Sequence, residues 1–246
     1  MDIIAHRGAS QDAPENTLAA FNLGWKQNAD AIELDIWLTK DGKIVCIHDD
    51  NTRRISGVSR KVTDQTLAEL RALDAGKWKD PQWTGEKIPV LAEALATIPV
   101  GKRLFIEIKC GSEVLPELEH IINSSGQNPQ QLAIISFSCN VAKQAKAKFP
   151  AVEVSWLYDW KKDKETGRKF TSDELIAKAK AANFDGLDLH FKGPIDAAFV
   201  RNVKNAGLKL YVWTVDEPGI ATKLASVGVD GITTNRPAWL RRQLAA

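Results

Sequence analysis

A chain of 246 residues, 44% hydrophobic and 26% charged, is long enough for one large domain with a sizeable core, which excludes disorder as its main state. Its 33 Lys plus Arg against 31 Asp plus Glu leave a formal charge of +2. That balance marks neither a nucleic-acid binder nor an anionic-membrane binder, so any anion it takes must be caught locally.

The first element, DIIAH (2–6), reads as a strand, and PENTLAAFNLGWKQN (14–28) as a helix, with Pro14 early in it and Glu15 or Asn16 fixing the turn. AIELDIWL (31–38) is the second strand. KIVCIH (43–48) follows Thr39-Lys40-Asp41-Gly42, whose Asp-Gly signals a hairpin, so it returns antiparallel. Residues 49–88 read as a small inserted subdomain, with a helix in VTDQTLAELRALDAG, and IPVLAEALATI supplies the helix that follows the second barrel strand. Strand and helix signals then alternate. LFIEIK is followed by SEVLPELEHIINSS, LAIISF by NVAKQAKAKF, VEVSWLY by SDELIAKAKAA, FDGLDLHF by IDAAFVRNVKNAG, LKLYVWT by PGIATKLASVG, and VDGITT by RPAWLRRQL. KKDKETGRK (161–169) reads as a solvated loop, placed where a lid is also possible. Setting the hairpin strand aside leaves eight βα units, the pattern of a closed (β/α)₈ TIM barrel; a doubly wound open sheet is the alternative but more naturally uses five or six strands.

Side chains alternate along a strand, so Ile32, Leu34, Ile36 and Leu38 share one face of the second strand, and Glu33, Asp35 and Trp37 the other. In an isolated strand the acids would face water. In a barrel one face meets the helices and the other the interior, which turns Glu33 and Asp35 inward, and the same parity turns Phe105, Glu107 and Lys109 inward. Buried carboxylates need cations. An oxygen-only set suits Mg²⁺ or Ca²⁺, and no Cys or paired-His spacing suggests structural zinc. His6 lies at the C-terminal end of the first strand, where barrel active sites form, with Arg7 and Gly8 beside it. The hairpin carries His48 back toward Glu33, so the two histidines can flank one ion.

The ordered set HRGAS…PENT, ELDIWLTKDGKIVCIHDDNTRR, LDAG, IPVLAEAL, IEIK, VWTVD and GVDGITTNRP resembles the glycerophosphodiester phosphodiesterases, across nearly the whole chain. The resemblance implies a metal-dependent TIM barrel over residues 1–246, related to phosphatidylinositol-specific phospholipase C, with a small insertion after the second strand. It implies one divalent cation, Mg²⁺ or Ca²⁺, held by Glu33, Asp35 and Glu107, His6 and His48 as the acid–base pair, and Arg7 and Lys109 on the phosphate. Trp213 would pack against glycerol, although filling the barrel explains it equally well. Asn235 stands where the family often has an acid, so no metal role follows for it. Asp188 and His190 point inward by position alone.

The implied reaction is hydrolysis of a glycerophosphodiester, such as a deacylated phospholipid headgroup, to sn-glycerol 3-phosphate and an alcohol. Two alternatives stay open: lysophospholipase D-like action on acylated substrates, with Phe137, Trp156 and Tyr158 lining a groove, and a non-catalytic phosphodiester-binding barrel. Three widely spaced cysteines (Cys46, Cys110 and Cys139) and a start without signal-peptide features point to a cytoplasmic enzyme of small molecules, with neither a nucleic-acid partner nor stable membrane insertion.

Overall fold

The computed structural model describes residues 1–163 and 166–245. Its strands in chain order are β1 (Asp2–His6), β2 (Ala31–Leu38), β3 (Ile44–Cys46), β4 (Arg103–Ile108), β5 (Leu132–Ser136), β6 (Glu153–Tyr158), β7 (Gly186–His190), β8 (Lys209–Trp213) and β9 (Gly231–Thr234). Eight of them run parallel, each pairing with the next, and β9 pairs with β1 to close a (β/α)₈ TIM barrel. The ninth, β3, lies antiparallel on β2 outside the ring, as the Asp-Gly turn predicts. No described helix is long and apolar enough to cross a membrane.

Strand alternation sorts the core into two layers. Ile32, Leu34, Ile36, Leu104, Ile106, Ile108 and Ile134 are buried between the sheet and the helices, while Ile4, Ala31, Phe105, Ala133, Ile135, Leu157 and Tyr211 fill the barrel. Fully burying each large aliphatic side chain contributes about 1.5–3 kcal/mol, so this hydrocarbon layer fixes which way the intervening residues point. Along β2 and β4 the inward positions run from Ala31 and Phe105 at the bottom to Glu33, Asp35 and Glu107 at the top. Along these two strands the acids thus lie only where the barrel opens.

The helices covering the barrel are α1 (Leu18–Lys26), α4 (Leu91–Leu95), α5 (Leu115–Ser125), α6 (Cys139–Lys148), α7 (Ser172–Ala181), α8 (Ala197–Asn205), α9 (Pro218–Val227) and α10 (Pro237–Ala245). Between β3 and α4 lie two short helices, α2 (Arg53–Ser56) and α3 (Leu67–Ala72). Val45, Ile47, Ile55, Val62, Leu70, Ala75 and Ile88 form their own small core there, against Trp37.

Several details differ from the sequence reading. The helix after β1 starts at Leu18, because the Thr17 hydroxyl caps it by accepting from Ala20 N; Pro14, Glu15 and Asn16 precede it. The stretch from Val62 is a 3₁₀ turn followed by α3, which begins only after Thr66 and Glu69 form a capping box. Trp156 and Tyr158 face the helix layer, packed against Phe170, because Glu153, Ser155 and Leu157 take the inward positions of β6. In the loop 161–169, Lys164 and Glu165 lie outside the described residues. Asp163 there is buried rather than solvated, and its carboxylate accepts from Thr166 N and Oγ1.

Candidate active site

β1 ends in a left-handed turn, with φ of 56° at Arg7 and 81° at Gly8. A side chain at Gly8 would meet the Ala20 backbone at 2.5 Å, so only glycine lets the turn settle onto α1. The turn aims Arg7 N at Glu33 Oε2 (2.9 Å) and holds its guanidinium between Glu15 (Nη1–Oε1 2.8 Å) and Asp35 (Nε–Oδ2 3.2 Å). Buried Asn16, with φ of 56°, donates through Nδ2 to Asp35 Oδ2 (2.8 Å) and accepts from Asp35 N (3.1 Å). Glu15 and Asn16 therefore belong to the site, which the sequence reading missed. The available signal was Thr17: one capping hydroxyl suffices for the helix, leaving the two preceding polar residues without a local task.

β2 and β4 pair in register with Asp35 opposite Glu107, so Glu33, Asp35 and Glu107 converge, and one carboxylate oxygen from each lies within 4.8 Å of the others. Lys109 Nζ reaches Glu107 Oε1 (2.7 Å) and Asp35 Oδ1 (3.5 Å). Burial pushes Glu33 well above the usual carboxylate range, and its two acidic neighbours add to that. Burial likewise raises Glu107 to about 7, against the pull of Lys109. Burial would raise Asp35 too, but Arg7 and Lys109 hold it down to about 2. Glu33 Oε1 and Asp35 Oδ1 are buried without hydrogen-bond partners. Converging hard oxygens with unfilled lone pairs fit a divalent cation such as Mg²⁺ or Ca²⁺.

The histidines have unlike partners. His6 Nδ1 meets Asn235 Oδ1 at 2.8 Å, and Asn235 Nδ2 donates to Asp216 Oδ2 at 2.6 Å. His48 Nδ1 meets Asp49 Oδ1 at 2.7 Å; Asp49 also accepts from Arg54, which bonds on to Glu15. Burial and the neighbouring Arg7 lower His6 to about 4, so its ring is neutral at pH 7, and burial also lowers His48. Asn235 and Asp216 were also missed as site residues, since both approach His6 from the far end of the chain.

His6, Arg7, Glu33, His48, Glu107 and Lys109 line one cavity of ≈180 Å³, together with Phe137, Asp188 and Trp213. Asp35 lies beside them against Arg7 and Lys109, so all the expected site residues come together. Trp213 packs edge-on to Phe137 (5.5 Å) and His190 (4.9 Å), and its Nε1 donates to Asp188 O (3.2 Å). Trp213 is thus a cavity wall as well as a neighbour of the barrel core. An adjoining hollow of ≈520 Å³ shares Glu107, Lys109 and Phe137 and continues to Asp159, Lys161 and Lys162. A further hollow of ≈490 Å³ lies outside the barrel between α4 and α5 and contains none of the expected site residues.

The profile of the glycerophosphoryl diester phosphodiesterase family matches residues 6–239. A glycerophosphodiester phosphodiesterase of Caldanaerobacter subterraneus is 34% identical over 245 residues, covering 97% of this chain and 95% of that one. One from Bacillus altitudinis is 36% identical over 253 residues, covering 96% and 94%. Among solved structures, an Oleispira antarctica phosphodiesterase in complex with the product sn-glycerol-3-phosphate superposes with a TM-score of 0.89 at 28% identity, covering 100% of this chain and 97% of that one. With its barrel, its converging acids and these relatives in agreement, the chain belongs to the glycerophosphoryl diester phosphodiesterase family.

Proposed function

We propose that this enzyme hydrolyses glycerophosphodiesters to sn-glycerol 3-phosphate and an alcohol, with one divalent cation held by Glu33, Asp35 and Glu107. The observation that carries the proposal is the buried three-acid cluster with its two orphaned oxygens, beside a cavity that presents Glu33, Glu107, Arg7, Lys109 and two histidines. With all three carboxylates ionised, as cation binding requires, they and the two basic side chains carry one net negative charge; a divalent cation turns this positive and lets the site take a phosphodiester. When bound, the cation supplies charge stabilisation at the phosphoryl oxygens and lowers the pKa of an oxygen ligand.

The chain's own residues do the rest. Arg7 and Lys109 bind the non-bridging oxygens. Arg7 is aimed by Glu15 and Asp35, which cuts the ordering cost of that contact. Of His6 and His48, one takes a proton from the attacking oxygen, and the other enters the step as the imidazolium and gives its proton to the leaving oxygen. Trp213 and Phe137 offer an apolar wall to the glycerol carbons. The adjoining hollow is mixed: Asp159, Lys161 and Lys162 can meet a polar headgroup, while Phe137, Leu157 and Tyr158 give it an apolar wall. The free thiols of Cys46 and Cys110 suit a reducing compartment such as the cytoplasm.

The test is release of sn-glycerol 3-phosphate from glycerophosphocholine and glycerophosphoethanolamine with Mg²⁺ or Ca²⁺, and its loss in EDTA. Full activity in His6→Ala or Glu33→Ala would refute the site. Binding of a diester without turnover, with cation supplied, would favour the non-catalytic barrel.

A further inference from the structure

We infer that Asn235 and Asp216 form a positioning relay that fixes the tautomer of His6, leaving its Nε2 bare toward the cavity. The inference deepens the phosphodiesterase reading and rests on it for its catalytic consequence, while the tautomer stands on geometry alone.

The argument starts from Asp216, an acceptor-only carboxylate when ionised. Its Oδ1 receives Thr234 Oγ1 and Asn235 N, both at 2.8 Å, and its Oδ2 receives Asn235 Nδ2 at 2.6 Å. Turning the Asn235 amide over would set its oxygen against that carboxylate, so the amide has one orientation. Its Oδ1 then faces His6 Nδ1 (2.8 Å) and also accepts from Ser10 Oγ (2.9 Å). An amide oxygen can only accept. His6 must therefore carry its proton on Nδ1, and in the neutral ring Nε2 is the unprotonated nitrogen. Because His6 lines the cavity, the relay presents a proton acceptor there rather than a donor. His48 has the other kind of support, a carboxylate at 2.7 Å, so the two histidines are set up differently by their partners.

The test uses ¹⁵N-labelled, Mg²⁺-loaded protein, whose four histidines give four sets of long-range ¹H–¹⁵N ring correlations. His6 is assigned by its absence from His6→Gln. The wild-type His6 ring is expected in the Nδ1–H form. Asn235→Leu is expected to shift it toward the Nε2–H form and lower kcat on glycerophosphocholine about 10–100-fold, with KM within about threefold. Asn235→Asp combined with Asp216→Asn keeps an acceptor for His6 and a donor facing it from position 216, and is expected to recover the Nδ1–H form and most of kcat. An Nε2–H ring in the wild type overturns the relay, and so does an Asn235→Leu variant with tautomer and kcat unchanged. If Asn235→Leu fails to fold, the spectra of the wild type and of the Asn235→Asp/Asp216→Asn double variant decide. Absence of diester turnover by the wild type would overturn the phosphodiesterase reading and leave the tautomer to be judged from the spectra.

Discussion

Replacing Glu107 by Gln should stabilise the cation-free protein at alkaline pH and do nothing at acid pH. Glu107 is raised from 4.5 to about 7, chiefly by burial. A carboxyl whose folded-state pKa lies above its unfolded value costs nothing while protonated in both states. It destabilises progressively as pH rises from about 4.5 to about 7, and the full penalty persists above that. At 1.36 kcal/mol per unit the shift corresponds to about 3 kcal/mol. Glu33 is shifted in the same direction. Asp35 is shifted the opposite way, from 3.8 to about 2, but its stabilising contribution is complete above about pH 5 and does not vary through this window. In a domain of this size about 3 kcal/mol moves Tm by about 6–12 °C.

The assay is thermal unfolding of parent and Glu107→Gln in EDTA, at pH 4.5 and pH 8. Other carboxylates titrate over the same range, so the informative quantity is the difference between the two proteins. It should be near zero at pH 4.5 and reach about 6–12 °C in favour of Glu107→Gln at pH 8. Adding Mg²⁺ or Ca²⁺ at about 100-fold over its Kd should then stabilise the parent by about 2.7 kcal/mol and nearly cancel the difference. A difference in EDTA that does not change between the two pH values would refute the reasoning.

Two further substitutions probe the scaffold around the acids. Gly8→Ala places a methyl 2.5 Å from the Ala20 backbone at a φ of 81°, and should cost about 2–4 kcal/mol in urea denaturation; a loss below about 1 kcal/mol would mean that the turn yields. Asn16→Ala leaves the buried Asp35 N–H without its acceptor and removes a donor from Asp35 Oδ2, so it should cost about 2–3 kcal/mol and weaken cation binding about 10–100-fold by calorimetry, whereas unchanged cation affinity would free Asn16 from any role in orienting Asp35.

What could be read from the sequence followed from local rules. The inward turn of Glu33, Asp35, Glu107 and Lys109 needs only the two-residue period of a strand and an outer face of Ile and Leu to anchor it. The antiparallel setting of β3 needs only Asp41-Gly42. β6 was harder, because both of its faces are largely apolar. Neither Trp156 nor Leu157 announces which way it points, and Trp156, a candidate for lining a groove, faces the helices instead. Partners brought in from a distance left no local trace. Glu15 meets Arg54 across 39 positions and His6 meets Asn235 across 229. Their encounters depend on the path of the insertion and on closure of the ring.

Closure explains why the end of the chain bears on its beginning. β9 pairs with β1 up to Ala5 opposite Thr234, so His6 and Asn235 are the next residues on two hydrogen-bonded strands, and their meeting follows from the last pairing of the barrel. The buried polar atoms point the same way. Seven side-chain atoms lack partners among the described residues, and four of them belong to Arg7, Glu33, Asp35 and Asp188. Folded proteins pair nearly all such groups, and the bottom of this barrel does so: Glu153 receives Arg103 Nη2 and Tyr211 Oη, each at 2.6 Å. The unpaired groups gather at the open end, where a cation and a phosphodiester would satisfy them. The ring that brings His6 to its relay is held by hydrocarbon on its outer face, so the electrostatic strain of the site stays where a ligand can relieve it.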